Sequence, residues 1–317
     1  MDEAHDRKPM RLRPHVTEAV WGGSRLAEEY GIDPGGRKNC AEAWMLSGHP
    51  RGSSTVQGGA YDGMTLETLF REHRELFGEA CAGMERFPVL VKLIDAREDL
   101  SVQVHPDDGD SVLQPGESGK TECWYILDAE PGAKLYLGFC ETITKEQFAN
   151  AILKKTLMGY VQPFEVEAED FFFIPAGTLH AIGKGILLAE VQQSSDTTYR
   201  IYDYNRLENG QPRPLHVDQA RAVTDLNPYE PVRDRLKIFG TKKLISCDYF
   251  TVEECAGRGE AEEDSFVHLL FLEADDDCVL ECGDEELPVK KGDSILIPAG
   301  AGKYSVDGGC RVLETRL

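Results

Sequence analysis

No apolar run in this sequence approaches the roughly 20 residues that a membrane-spanning helix requires. The opening stretch, MDEAHDRKPMRLRPH, carries charges where a secretory leader would be apolar. A soluble, cytoplasmic protein is the expectation. Basic blocks are missing too: 34 Lys and Arg stand against 56 Asp and Glu, for a formal charge of −22. Nothing in that balance offers the electrostatic footprint that nucleic acid or an anionic membrane requires, so neither is expected as a partner. Helix-period stretches are few. Cysteine and histidine pairs with the spacing of a structural zinc site are also lacking. Nine cysteines, an odd number, are scattered from Cys40 to Cys310 in a chain too large to depend on disulfides, which fits a reducing compartment. Cys278 and Cys282 come nearest to ligand spacing and read instead as small residues of a β-hairpin.

What is present is strand. A chain of 317 residues with 41% apolar content can bury two medium cores, so two domains are the default. Short β-branched or aromatic runs, among them PVLVKLI, LSVQVH, CWYILD, DFFFIP, ILLAEVQQ, VHLLFLE and DSILIP, alternate with Gly, Pro, Asp and Asn. That pattern indicates sandwich or barrel architecture. Three helices interrupt it. One opens near Thr65 and carries Leu66, Leu69, Phe70, His73, Leu76 and Phe77 on a common stripe, where His73 reads as a packed or partly exposed histidine and not as a ligand. A second starts at Thr144 with a capping box to Gln147 and turns Phe148, Ile152 and Leu153 inward. The third runs from about Asp218 to Val223.

One segment occurs twice. DFFFIPAG at 170–177 is echoed by DSILIPAG at 293–300, 123 residues later, which suggests two related barrels. Their join is expected between Asn227-Pro228 and Val232, giving a larger unit over 1–232 and a smaller one over 233–317. The copies differ in one telling place. Three residues past the first PAG stands His180; the matching position of the second is Lys303. The chemistry is therefore expected in the first unit, with the second lacking the ligands.

Alternation in Leu100-Ser101-Val102-Gln103-Val104-His105 puts Gln103 and His105 on one strand face and the valines on the other. Glu122 opens a further strand, with Trp124 and Ile126 on its face. Two imidazoles and a carboxylate directed inward from separate strands suit a zinc-type ion that keeps open positions, with Gln103 as a possible fourth oxygen. Separate hydrogen-bonded core histidines are equally compatible with ligand spacings of 17 and 58 residues. Period 2 places Arg200 with Tyr202, and Lys120 with Glu122. Lys92 is a single charge in an apolar strand, its amine reaching either solvent or cavity. Glu190 and Gln192 share a face that orients Arg200 or finishes a polar mouth. An anionic substrate would be repelled by the overall field, so some of these cations must converge on it.

The stretches WGGSRLAEEYG, AEAWMLSGHP, LSVQVHPDD, GKTECWYIL, IPAGTLHAIGKG and EVQQSSDTTYRIYDYNR resemble, in order, those of the type I mannose-6-phosphate isomerases, specifically the short bacterial cupin-fold members. The tail segments LISCDYFTVEE and GDSILIPAG resemble their second cupin half. The resemblance implies a mainly β fold of two cupin-like jelly-roll barrels with a few helices around the first. It implies one Zn²⁺ per chain, a small sugar-phosphate substrate, and aldose-ketose isomerisation through an enediol-type intermediate. His105, Glu122 and His180 fall on the metal shell, with Gln103 either a ligand or a contact to substrate. Arg200 falls on the active-site arginine. Lys120 falls on the motif lysine, for substrate binding or proton handling, and Lys92 faces the cavity as a possible substrate contact. Two other readings stay open: a different cupin metalloenzyme of the iron oxygenase type, or a non-catalytic sugar-phosphate-binding cupin.

Overall fold

The computed structural model describes residues 7–113, 115–208, 210–230 and 241–317. The chain is mainly β. An antiparallel five-stranded sheet runs in the order Val161–Glu165, Lys134–Phe139, His180–Ile182, Val102–Val104, Tyr199–Tyr202. It faces a seven-stranded sheet ordered Phe171–Ile174, Glu122–Ala129, Ile186–Gln193, Val89–Ala96, Cys40–His49, His15–Gly23, with Gly52–Ser53 paired to Cys40–His49. Ile94, Trp124, Ile126, Phe172 and Leu188 of the larger sheet share one cluster with Leu135, Leu137 and Ile182 of the smaller. Apolar burial holds the two together, at roughly 1.5–3 kcal/mol for each fully buried large side chain.

A second facing pair follows. The sheet Lys242–Ser246, Thr251–Cys255, Cys310–Arg316, Val267–Ala274, Ser294–Ile297 packs on the four strands Arg258–Ala261, Gly302–Asp307, Val279–Cys282 and Glu285–Pro288. Val267, Leu269 and Phe271 meet Leu280, Tyr304 and Val306 between them. The two seven-stranded sheets then press back to back through Val91, Leu93, Tyr125 and Val191 on one side and Leu12, Val252, Leu270 and Leu313 on the other. Among the described residues no sheet closes on itself.

The start of the chain completes the sheet built from its end. Met10–Arg13 pairs with Ser294–Ile297 and also with Thr55–Gln57, which forms the outer edge of that sheet. Phe70, Phe77, Phe87 and Phe266 reinforce the link, with ring centroids 5.0 to 6.0 Å apart and mostly edge to face. The expected join beyond Asn227 runs into 231–240, outside the described residues.

The helices follow their caps. Thr65 accepts from the Thr68 amide at 3.2 Å and starts Leu66–Glu72. His73 leaves the helix there, so Leu76 and Phe77 reach the core from a 3₁₀ turn. Thr144 and Gln147 form the expected reciprocal box on Lys145–Leu153. That helix is rotated from expectation: Phe148 and Ala151 are buried, whereas Leu153 is 79% exposed. A steric reason is visible in the spacing, since 148, 151 and 152 make a narrow stripe that leaves 153 on the flank. The third helix spans Val217–Val223.

A further helix, Arg25–Tyr30, has no counterpart in the sequence reading. Its first amide is bonded by Asp95 Oδ2 at 2.9 Å, from a different strand, and the Ser24 side chain caps nothing. The preceding glycines make this contact possible. A Cβ on Gly23 would sit 2.2 Å from the Asp95 carboxylate, and one on Gly22 would lie 2.7 Å from the Ala41 amide nitrogen.

Candidate metal centre

Three adjacent strands of the five-stranded sheet set a row of side chains. Gln103 is opposite His180 on one side and Arg200 on the other. His105, two residues on from Gln103, brings its ring to 4.7 Å from that of His180. The PAG turn fixes the ends of these strands: the Gly177 amide bonds the His105 carbonyl at 2.9 Å and the Ala176 amide bonds Thr121 Oγ1 at 3.2 Å. Gly177 has φ +84 and a Cβ there would meet the Val223 carbonyl at 3.1 Å, so glycine suits the turn. Glu122 enters from the facing sheet.

One ligand atom from each of His105, Glu122 and His180 lies within 4.8 Å of the others, and all three residues are buried. His180 Nε2 is 3.5 Å from Glu122 Oε1, and His105 Nε2 is 3.7 Å from Oε2. Hydrogen bonding fixes both tautomers. Nδ1 of His105 is 2.8 Å from the Thr197 carbonyl and Nδ1 of His180 is 2.9 Å from the Thr178 carbonyl. A carbonyl only accepts, so each Nδ1 carries the proton and each Nε2 turns a lone pair toward Glu122. Neither oxygen of Glu122 has a hydrogen bond of ordinary geometry, although the Lys120 ammonium is 3.1 Å from Oε2. That contact is a buried ion pair, which lowers Glu122 against the burial that raises it.

Electrostatics agree with a donor set kept ready for a cation. Burial holds His105 well below the ordinary imidazole range, with Lys120 adding to the effect. Burial likewise takes His180 down to about 4. Glu122 is pushed up to about 7 by burial and then by the negative charge of Glu190, against the pull of Lys120. Two neutral imidazoles and a buried carboxylate whose one cationic contact is Lys120 therefore fit a divalent ion, which would take the lone pairs and satisfy the buried oxygens. The Gln103 amide ends 3.2 Å from His180 Nε2; with its oxygen turned there it would face the same point.

Above this floor is a cavity of about 350 Å³ lined by Lys92, Gln103, Lys120, Glu190, Arg200 and Arg213 among others. Lys120 joins the floor to the cavity, 3.2 Å from His105 Nε2. Five basic and five acidic side chains line it, so it is neutral inside a chain of −22. Most of these cations are already matched. Lys92 Nζ is 3.0 Å from Glu190 Oε1, and Arg51 is 2.6 Å from Asp196. Arg200 differs: its Nε donates to Ser101 Oγ and its Nη1 to the Pro214 carbonyl, each at 3.2 Å, both neutral acceptors. Among the described residues no carboxylate pairs with it.

The structure brings His105, Glu122, His180, Gln103, Lys120, Lys92 and Arg200 to one place. Tyr202 parts from Arg200. A register shift between them in the pairing with Val102–Val104 turns Tyr202 onto the cluster of Val102, Val104 and Ile201, away from the cavity. Glu190 does not orient Arg200; it pairs with Lys92 and accepts from Trp124 Nε1 at 2.9 Å. Gln192 donates to the carbonyls of Gln193 and Ser195 and so holds the turn leading to Thr197. Lys303 is exposed on its strand. The inner face of the second sandwich instead carries a closed network, in which Glu314 accepts from Tyr304 and Arg316 at 2.5 and 2.6 Å. Sequence reasoning missed Glu42, Ser101, Asp203 and Arg213. Only Ser101 carried a signal, since it shares the face of Gln103 by period 2.

Comparison with known proteins agrees along the whole chain. Residues 10–126 match the model of the phosphomannose isomerase type I catalytic domain, and 240–316 match that of the mannose-6-phosphate isomerase cupin domain. The mannose-6-phosphate isomerase of Streptococcus mutans is 37% identical over 313 residues, covering 97% of this chain and 98% of the relative. The crystal structure of the mannose 6-phosphate isomerase from Bacillus subtilis superposes with a TM-score of 0.88 at 36% identity, covering 98% and 99% of the two chains. A zinc-bound mannose 6-phosphate isomerase shares the fold, with a TM-score of 0.78 at 18% identity, covering 97% of this chain and 98% of that one. In sequence over nearly its full length, and in fold, this chain belongs to the type I mannose-6-phosphate isomerase family.

Proposed function

We propose that this enzyme interconverts mannose 6-phosphate and fructose 6-phosphate, using one Zn²⁺ per chain held by Nε2 of His105, Nε2 of His180 and the Glu122 carboxylate. The observation that carries the reading is the convergence of two imidazole lone pairs and a buried carboxylate within 4.8 Å, beneath a cavity that also holds Arg200 and Lys120. When bound, the ion supplies Lewis acidity where negative charge develops on the sugar's O1 and O2. Arg200, with no carboxylate partner among the described residues, lends its fork to the developing enediolate or to the phosphate. Lys120, between His105 and Glu122, positions the substrate or handles a proton at the floor. Gln103 either completes the shell or bonds the substrate. Trp21 and Trp44 wall the cavity and limit water.

Each facing pair of sheets is read as one cupin-like jelly-roll barrel. The catalytic unit spans 1–232 and the smaller unit 233–317, with the Met10–Arg13 strand crossing from the first to the second. The echo of DFFFIPAG in DSILIPAG and the cupin model over 240–316 support that division. Cytoplasmic sugar-phosphate metabolism is the setting that fits a chain rich in free thiols. Family membership favours the isomerase over an iron oxygenase or a sugar-phosphate sensor. A coupled assay for conversion of mannose 6-phosphate, run with and without chelator, tests the reading. Chelator-sensitive conversion is expected; a folded, zinc-loaded protein without conversion would overturn it.

A further inference from the structure

We propose that Gln193 is a positioning residue for Lys120: its side-chain amide, together with Asp108, clamps the backbone on both sides of Lys120 and so fixes where that ammonium stands at the floor of the cavity. The inference rests on the isomerase reading above, in which Lys120 acts on the substrate, and names what holds Lys120 in place. Lys120 lies two residues before the strand Glu122–Ala129 begins. The pairing of that strand with Ile186–Gln193 ends at Gln192 opposite Glu122. One step further, a regular antiparallel ladder would join the Thr121 amide to the Gln193 carbonyl. That carbonyl accepts from Gln192 Nε2 at 2.7 Å instead, and the Thr121 amide donates to Gln193 Oε1 at 2.8 Å. The Gln193 amide still reaches the Thr121 carbonyl at 3.1 Å. A side-chain carboxamide thus takes the place of a peptide group where the sheet stops.

The other end of the same carboxamide reaches to the far side of Lys120. Gln193 Nε2 donates to Asp108 Oδ2 at 3.0 Å, and Asp108 Oδ1 accepts from the Gly119 amide at 2.6 Å. The Lys120 amide itself donates to the Pro106 carbonyl at 3.0 Å. Three successive amides, from Gly119 to Thr121, are therefore tied to points outside their own segment, and Ser195 Oγ adds a bond to the Ser118 carbonyl at 2.8 Å. Gly119 permits the close approach, since a Cβ there would sit 2.6 Å from the Asp108 amide nitrogen. Gln193 is only 5% exposed, so water cannot readily stand in for its bonds. From this held backbone the Lys120 side chain places Nζ 3.2 Å from His105 Nε2 and 3.1 Å from Glu122 Oε2. Gln193 and Asp108 line a different cavity, of about 670 Å³, from the one that holds Lys120 and Arg200. They bear on the reaction only through what they hold. Glu122 has supports of its own, paired with Ile174 on one side and Gln192 on the other, so opening the clamp shifts Lys120 and leaves the metal ligands in place.

The test uses the zinc-loaded enzyme with its Gln193→Glu and Gln193→Glu/Asp108→Asn variants. The single variant sets two carboxylates against each other across a 3.0 Å contact and opens the clamp. The double variant reverses donor and acceptor between the two side chains, keeps an acceptor for both the Gly119 and the Thr121 amide, and leaves the net charge as it was. Steady-state isomerisation of mannose 6-phosphate, zinc per chain and hydrogen exchange of the segment 117–122 are measured in each. Gln193→Glu is expected to lower kcat by about tenfold or more, with KM within about threefold, the zinc retained and exchange at 117–122 faster. The double variant is expected to return kcat to within about threefold of wild type and to restore slow exchange. Near-normal kcat in Gln193→Glu overturns the inference. So does a double variant no better than the single one, or a loss of zinc and a rise of KM in step with kcat, which would mark Gln193 as a support of the fold alone. If Gln193→Glu does not fold, Asp108→Ala, at an exposed residue, decides by the same criteria for kcat, KM, zinc and exchange. If the wild type does not convert mannose 6-phosphate, the isomerase reading fails on its own. Exchange at 117–122 then still decides the clamp: protection lost in Gln193→Glu and regained in the double variant supports it, and equal exchange in all three proteins overturns it.

Discussion

Lys92 and Glu190 face each other across neighbouring strands, with Nζ 3.0 Å from Oε1 and each side chain 4% exposed. Glu42 is a second, longer partner at 3.7 Å, and Trp44 covers the ammonium at 5.5 Å from its ring centroid. Burial alone would raise Glu190; Lys92, followed by Lys120, overrides it and holds the carboxylate below its ordinary range. Lys92 thus keeps a carboxylate ionised under the cavity. Lys92→Met is expected to destabilise the protein by about 3–5 kcal/mol, because it strands a buried charge. Lys92→Met/Glu190→Gln should recover part of that loss in denaturant unfolding. A single variant as stable as wild type would contradict the pairing.

Among the described residues Arg200 bonds neutral acceptors only, so its removal strands no charge among them. Arg200→Ala should retain stoichiometric metal and near-normal stability while kcat/KM falls by about 10²–10³. Metal analysis beside steady-state kinetics checks both halves, and near-normal turnover would remove Arg200 from the chemistry.

Metal uptake should depend on pH through Glu122. The imidazoles are already neutral near pH 7, whereas Glu122, pushed up to about 7, must lose a proton to bind as an anion. Affinity is expected to fall by about tenfold per pH unit below 7. A competition titration with a chromophoric chelator between pH 5.5 and 7.5 would show this slope; a flat profile would mean that Glu122 is ionised throughout.

His268 lies in the C-terminal seven-stranded sheet, wholly buried and bonded through Nε2 to Ser294 Oγ at 2.8 Å. Ser294 donates to the Met45 carbonyl at 2.9 Å, so the histidine is the donor in its own bond. Burial lowers His268 from 6.5 to about 3. Above pH 6.5 neither the folded nor the unfolded form is protonated there. Below it the unfolded chain takes up a proton that the folded chain refuses, so stability drops as pH falls from 6.5 toward 3. The contribution is up to about 1.4 kcal/mol per pH unit. His268→Asn should flatten the pH dependence of the unfolding free energy between pH 5 and 6 by up to that amount. An unchanged slope would show that His268 does not carry it.

Much of the site was legible because strand alternation is local. Period 2 placed Gln103 with His105, and Lys120 with Glu122, and the internal echo singled out His180 against Lys303. Family resemblance then joined residues that spacing left unconnected. Features set by other parts of the chain were hidden. Asp95 starts a helix 70 residues before it, the bulge after Arg200 turns Tyr202 away, and Arg213 lines the cavity from a segment with no strand or helix period, fixed there by its pair with Asp203. The pairing of Met10–Arg13 with Ser294–Ile297 also lies beyond any local pattern, since a short strand carries no mark of its partner.

The most direct test removes the metal and returns it by titration. Zinc added to metal-free enzyme should restore conversion of mannose 6-phosphate in proportion up to one equivalent per chain, and Glu122→Gln, which keeps the shape of the ligand but not its charge, should not follow that line. Full activity in metal-free protein, or recovery in Glu122→Gln indistinguishable from wild type, would contradict a catalytic metal held by His105, Glu122 and His180.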